Sequence, residues 1–302
     1  MRVLVTGASG FLGSHLVTHL AARGDEVVGT YAGSAGPAVP GVEFVPVEIT
    51  DRQAMAALVA RFAPEVVIHL AGLAHVGASW QKVAEYYQVN VVGTGTLLDV
   101  AAGRRVVFAS SAEVYGPVPE AEQPICEERL LAPPSPYALT KACAERMVVA
   151  AGGVVARTFN LIGPGQAPAF ALPTFARQLA AIARGEQEPV LQVGNLEARR
   201  DFLHVADGAR AYRLLAEKGE PGAAYNVASG KAHSMADMLT RLIEVSGVKA
   251  RVEVDPSRFR PVDLPLLAGN ASRLRHLGWE PERSVEEALA ELWGAVRDSR
   301  SS

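Results

Sequence analysis

Met1-Arg-Val-Leu-Val-Thr6-Gly7-Ala-Ser-Gly10-Phe11-Leu12-Gly13 is a short apolar run that breaks into three glycines spaced three apart and continues with helical apolar spacing. A strand that ends in a glycine turn and feeds a helix is the opening of a βαβ unit. The first glycine allows the tight bend, the second lets the backbone approach a pyrophosphate, and the third lets helix and strand pack closely. The helix N-terminus adds N–H donors and the positive end of its dipole. Gly7, Gly10 and Gly13, with Phe11 and Leu12 between them, are therefore expected to cradle the phosphates of a dinucleotide.

Outward from this turn, Val-rich runs alternate with amphipathic helical patterns as far as about residue 160. The spacing predicts strands over 2–6, 26–30, 43–46, 66–70, 105–109 and 154–157, and helices over 11–23, 52–62, 82–102 and 136–151. Strands alternating with helices predict an α/β fold, a Rossmann-like doubly wound parallel sheet with right-handed crossovers. Ligands should gather beyond the carboxyl ends of the strands, where Thr6 to Gly13, Thr30, Ala71, Ser110 and Thr158 fall. From Gly163-Pro-Gly-Gln166 the elements shorten. Helices are expected over 172–184, 207–217, 234–245 and 284–297, and a short strand over 225–227. This divides the chain into a dinucleotide-binding domain, 1–160, and a smaller substrate-binding domain, 161–302, with some chain crossing back to the first.

The 302 residues, 49% hydrophobic and 20% charged, can bury a large core. A net charge of −3 without a basic block argues against a nucleic-acid surface. No apolar run approaches the ~20 residues that span a bilayer, and the first strand leaves no room for a secretory signal. A cytoplasmic protein acting on a small molecule is expected. Cys126 and Cys143 have neither C-x-x-C spacing nor a histidine cluster, which predicts two free thiols and no metal.

Tyr137-Ala-Leu-Thr-Lys141 carries the chemistry. Positions four apart share a helix face, so the phenol and the ammonium can reach one cleft. A neighbouring cation favours the phenolate, which would let Tyr137 exchange a proton near neutral pH. Such an acid suits carbonyl reduction, in which hydride reaches the carbon while the phenol protonates the oxygen. Ser111, twenty-six residues earlier at a strand end, is the hydroxyl expected to align the substrate, with Ser110 as the alternative. His69 reads as a packed core residue, His75 as a possible substrate contact, Ser79-Trp80 as a helix cap or sugar contact, and Trp279 and Trp293 as core anchors.

The glycine turn, His69-Leu70-Ala71-Gly72, Asn90-Val-Val-Gly-Thr, Ser110-Ser-Ala-Glu-Val-Tyr-Gly116 and Pro136-Tyr-x-x-x-Lys141 together resemble the extended short-chain dehydrogenases that act on nucleotide sugars. Arg157-Thr-Phe-Asn160-Leu-Ile-Gly-Pro-Gly-Gln166, Val193-Gly-Asn195-Leu-Glu-Ala-Arg-Arg200-Asp201-Phe and Arg260-Pro are most similar to the GDP-4-keto-6-deoxy-mannose reductases and GDP-mannose 4,6-dehydratases. The resemblance implies NADP or NAD as cofactor, a GDP-sugar as substrate, and a homodimer built through two helices per subunit. It further implies that Glu48 and Ile49 lie beside the adenine, that Leu70, Ala71, Gly72 and Asn90 line the cofactor, and that Lys141 bonds the nicotinamide ribose. For the substrate it implies Asn160, Arg177, Val193, Asn195, Arg200 and Arg260.

Dehydratases of this group follow the active hydroxyl with an acid or hydroxyl residue and then a glutamate. Here the triplet is Ser111-Ala112-Glu113, and alanine has no proton to give. The resemblance therefore points to reduction of a C4 ketone. Glu113 keeps 4,6-dehydration or 4-epimerisation open, and a non-catalytic dinucleotide sensor is the remaining alternative. Thr30-Tyr31-Ala32-Gly33-Ser34, at the end of the second strand, offers neither an acid for ribose hydroxyls nor an arginine for a 2′-phosphate, so NADPH and NADH both stay open.

Overall fold

The computed structural model describes residues 1–259 and 264–299. In chain order the first half comprises β1 (Arg2–Thr6), α1 (Phe11–Ala22), β2 (Glu26–Tyr31), β3 (Val42–Pro46), α2 (Arg52–Phe62), β4 (Val66–His69), α3 (Val76–Ser79), α4 (Val83–Tyr86), α5 (Gly93–Val100), β5 (Arg105–Ser111), α6 (Pro136–Ala150) and β6 (Val154–Thr158). The second half adds β7 (Asn160–Ile162), α7 (Ala171–Ala183), β8 (Val190–Val193), β9 (Arg199–His204), α8 (Val205–Lys218), β10 (Ala224–Val227), β11 (Ala232–Ser234), α9 (Met235–Ser246), β12 (Arg251–Val254), β13 (Leu266–Leu267), α10 (Ser272–His276) and α11 (Val285–Asp298).

Among the described residues, seven parallel strands form one sheet in the order β3-β2-β1-β4-β5-β6-β10. This is the doubly wound arrangement expected from the alternating pattern. Both faces are covered, which explains why β1 carries the unbroken apolar run Val3-Leu4-Val5 rather than an alternating pattern. Val3 and Val5 pack with Leu16 and Leu20 of α1 and Tyr212 and Leu215 of α8, whereas Leu4 packs with Met55 and Leu58 of α2 and Leu97 of α5. The chain order reverses between β1 and β4, and there the Leu70 N–H donates to the Thr6 carbonyl at 3.1 Å.

Residues beyond 160 contribute to this layer as well. The helix α8 lies against α1, and β10 extends the sheet beside β6. A second apolar core gathers Leu172, Phe175 and Leu179 of α7, Met238 and Leu242 of α9, and Leu289, Leu292 and Trp293 of α11 over β8 and β9. No helix among the described residues is long and apolar enough to cross a membrane.

The helix expected over 82–102 is present from Val83 to Val100 and changes its winding partway. Between α4 and α5, residues Tyr87–Val92 form a π-helical turn. The extra residue per turn lets Asn90 point inward, and Gly93 then seats directly on Ile49, where a Cβ would stand 2.7 Å from that side chain. The strand expected to end at 109 runs on to Ser111, paired with Thr158 of β6. Because side chains alternate along a strand, Ser110 and Ser111 face opposite sides of the sheet.

Candidate active site

The glycine turn is shaped by backbone contact. Gly7 has φ +69°, and a Cβ there would lie 2.8 Å from the Ala71 nitrogen; one on Gly13 would lie 2.2 Å from the Gly7 carbonyl oxygen. Side chains at either position would push α1 off the strand ends. Gly10 is the N-cap of α1 and offers no side chain to its first-turn N–H groups. The closed turn with exposed helix donors fits a dinucleotide pyrophosphate. Phe11 and Leu12 form the first turn of α1 at its rim. Thr30 is buried and its carbonyl accepts the Ala8 N–H at 2.8 Å. Glu48 is exposed, whereas Ile49 is buried in the core against α5.

A buried hydrogen-bond chain fixes the two strand ends. The Ala71 N–H donates to Thr6 Oγ1 at 3.2 Å, and the Thr6 hydroxyl donates to His69 Nδ1 at 2.7 Å. On the other side the Thr94 hydroxyl donates to the Asn90 carbonyl at 2.6 Å, so its oxygen accepts the His69 Nε2–H at 3.0 Å. The imidazole is thus neutral, and burial followed by the charge of Lys141 pushes its pKa down to about 3. His69 is structural, as expected. Asn90 was expected to line the cofactor. It lies beside Gly72, but its amide is occupied by both backbone groups of Leu73 (2.8 and 3.1 Å) and by Thr140 Oγ1 (3.0 Å), and so fastens the 71–73 loop to α6.

Ser135 caps α6 and Pro136 occupies its first turn, an N-terminus that starts the helix just before Tyr137. The Tyr137 and Ser111 hydroxyls share a hydrogen bond, and Glu113 lies close enough for its charge to act on the phenol. Ser110 instead donates to Glu145 at 2.9 Å, inside a buried cluster in which Arg157 pairs with the same carboxylate and bonds the Tyr115 hydroxyl. The strand's alternation therefore leaves Ser111 as the hydroxyl at Tyr137. Burial pushes the Tyr137 phenol up to about 12; the Ser111 bond opposes this and Glu113 adds to it. Lowering of the phenol by Lys141 was expected and is not what the structure shows. The Lys141 ammonium donates to the Ala109 carbonyl at 2.8 Å and sits 4.9 Å from the centre of the Phe108 ring, and burial lowers its own pKa to about 8. Gly72 keeps space open here, since a Cβ on it would stand 3.3 Å from Lys141 Nζ.

A cavity of 390 Å³ is lined by His75, Asn160 and residues of the second core such as Leu172, Phe175 and Phe202. Asn160, Asn195 and Arg200 line it as predicted from the sequence. Asn160 Nδ2 donates to the Asp201 carbonyl at 3.3 Å, and Arg200 Nη1 to the Leu264 carbonyl at 2.6 Å. The Asp201 carboxylate beneath them accepts the Ser229, Gly230 and Gly269 N–H groups. Two predicted substrate contacts fall elsewhere. Val193 is fully buried in the second core, because alternation along β8 turns Leu191 and Val193 inward and Gln192 toward the cavity. Arg177 lies exposed on α7 and lines no part of the cavity. Arg260 is outside the described residues. Sequence reading missed His75's neighbour Phe170, together with Gln192, Arg258 and Phe259, which also line the cavity. Gln166 stands in a quoted motif but was assigned no role. Its Nε2 donates to the Leu161 carbonyl at 2.9 Å, leaving Oε1 buried without a partner.

The chain is similar to known proteins over nearly its whole length. The family described as GDP-mannose 4,6 dehydratase matches residues 4–292. The chain is 35% identical over 301 residues to GDP-6-deoxy-D-mannose reductase of Pseudomonas aeruginosa, covering 95% of this chain and 94% of that one. The structure of RMD from Pseudomonas aeruginosa complexed with NADPH superposes with TM-score 0.86 at 33% identity, covering 98% of this chain and 99% of that one. UDP-glucose 4-epimerase of Thermus thermophilus in complex with NAD superposes with TM-score 0.90 at 31% identity, covering 99% and 100%.

Proposed function

The chain belongs to the GDP-mannose 4,6 dehydratase family, NAD(P)-dependent enzymes that modify nucleotide sugars, and on that footing we propose that it reduces the C4 ketone of a GDP-4-keto-6-deoxy-hexose. Gly7, Gly10 and Gly13 would hold the pyrophosphate of a reduced nicotinamide dinucleotide, which when bound would supply the hydride that C4 needs. Tyr137 gives its proton to the C4 oxygen, and Ser111, hydrogen-bonded to Tyr137, aligns that oxygen. A phenol held up to about 12 starts the cycle protonated, the state a ketone reduction needs. Lys141, on the same helix face and anchored on the Ala109 carbonyl, would bond the nicotinamide ribose. Arg200 serves the diphosphate; Asn160 and Asn195 hold the rest of the nucleotide sugar.

The observation that carries this reading is Ala112, buried between Ser111 and Glu113. Elimination of water across C5–C6 needs a proton donor there, and reduction does not. Glu113, acting electrostatically on Tyr137, supports a 4,6-dehydratase or 4-epimerase as the second reading. Incubating the protein with GDP-4-keto-6-deoxy-mannose and NADPH or NADH, with NMR of the product, tests both. A new C4 alcohol with equal cofactor oxidation supports the reductase. Unchanged cofactor refutes it, and loss of water from GDP-mannose would then support the dehydratase.

The homodimer is part of the same proposal. Trp80, Val83, Val92 and Leu139 leave large apolar side chains exposed around α4, α5 and α6, a surface a second copy would cover. Light scattering tests it, with L139E expected to shift the protein to monomer.

A further inference from the structure

His75 lines the cavity, in the segment that follows β4. It is the N-cap of α3, and its Nδ1 accepts the Ala78 N–H at 3.0 Å. A ring nitrogen that accepts a hydrogen bond carries no proton, so the neutral imidazole holds its proton on Nε2. Nε2 has no hydrogen-bond partner among the described residues. The ring meets Phe170 edge to face, 6.1 Å between centres, and both residues line the cavity. Gly77 leaves room beside the ring, since a Cβ on it would stand 3.1 Å from Cε1. The backbone of His75 is tied to the reaction centre. Its carbonyl accepts the Tyr86 hydroxyl at 2.6 Å, and the Tyr86 ring meets Tyr137 edge to face at 6.4 Å.

We propose that His75 orients the sugar: its Nε2–H donates to an oxygen of the hexose while Tyr137 acts at C4. This rests on the nucleotide-sugar reading. The Tyr86 hydroxyl on the His75 carbonyl ties this segment to the neighbourhood of Tyr137, whereas Arg200 and Arg258 supply the cationic groups a diphosphate needs. A neutral N–H donor matches a neutral sugar oxygen. The cap explains why the ring stays in one tautomer, because the Ala78 N–H can bond only an unprotonated Nδ1.

His75→Asn separates the two roles. Asparagine is a strong N-cap, so α3 keeps its start, while its shorter amide N–H2 falls short of the position that Nε2–H holds. Dissociation constants are measured by calorimetry on the NADPH-bound protein, with GDP-mannose and GDP as probes. The expected result is a roughly tenfold weaker GDP-mannose complex, the loss of about one hydrogen bond, with GDP and NADPH unchanged. Equal binding of GDP-mannose by wild type and variant overturns the proposal, as does equal weakening of GDP. Nitrogen-15 NMR of the imidazoles adds a readout independent of folding. A proton on Nε2 that shifts with GDP-mannose and not with GDP is expected, and a proton on Nδ1 overturns the proposal. Failure of the wild type to bind GDP, GDP-mannose or any other nucleotide sugar would overturn the parent reading and this one with it. Binding by the wild type with an unaffected variant overturns His75 alone.

Discussion

Replacing Lys141 with methionine should make the protein more stable and nearly inactive. The ammonium is 5% exposed, and burial takes its pKa from 10.5 to about 8. At ~1.36 kcal/mol per unit, the folded state holds the charged amine at a cost of about 3 kcal/mol relative to the neutral amine. Methionine removes that cost and loses the bond to the Ala109 carbonyl, worth about 1 kcal/mol, for a net gain of about 2 kcal/mol at pH 7. The pH dependence gives the sign. Between pH 8 and 10.5 the unfolded chain binds a proton that the folded chain has released, so wild-type stability rises with pH across that window. Below pH 8 both states are protonated and the full cost is present. Urea unfolding of the ligand-free protein at pH 7 and 9.5 measures this, and the wild type should gain about 2 kcal/mol relative to the variant between the two. Turnover should fall at least a hundredfold, on the order of a lost proton-transfer partner. A variant that is less stable at pH 7 and parallels the wild type up to pH 9.5 would refute the argument that the site holds a buried charge.

Other substitutions probe the same architecture. His69, neutral in the fold with a pKa near 3 against 6.5 unfolded, makes stability fall as pH drops below 6.5; His69→Gln should lack about 2 kcal/mol of the loss measured by urea unfolding between pH 6.5 and 5. Ser111→Ala should lower kcat about a hundredfold with little change in Tm, whereas Ser110→Ala, which removes a buried bond to Glu145, should cost about 1–2 kcal/mol and leave the chemical step intact. Gly13→Ala places a Cβ 2.2 Å from the Gly7 carbonyl and should weaken NADPH binding more than tenfold by fluorescence titration.

Much of the fold was legible because its signals are local. The glycine turn, the strand and helix periods as far as β6, and the i, i+4 pair Tyr137 and Lys141 depend on residues close in sequence. The π-turn was not legible, since a helical apolar pattern runs through it and what opens the turn is Asn90 reaching Leu73 and Thr140. The strands β7 and β8 were passed over because they run only three and four residues, and β9 because it opens on the charged run Arg199-Arg200-Asp201. The substrate side fared worst. Asn160, Asn195 and Arg200 reach the cavity, but the motif that holds Asn195 and Arg200 also contains Val193, whose side chain faces the other way.

The sequence by itself determined the sheet, the dinucleotide turn, and the presence of a serine, a tyrosine and a lysine at spacings that one site can use. Only the tertiary structure decided which serine reaches the tyrosine, that the phenol is held protonated while the lysine's own charge is disfavoured, and which residues wall the cavity. The physical reason is that periodicity follows from backbone geometry along the chain. Desolvation and cavity shape are set by distant segments that pack together, such as Tyr86 on Tyr137 or Arg258 beside Arg200.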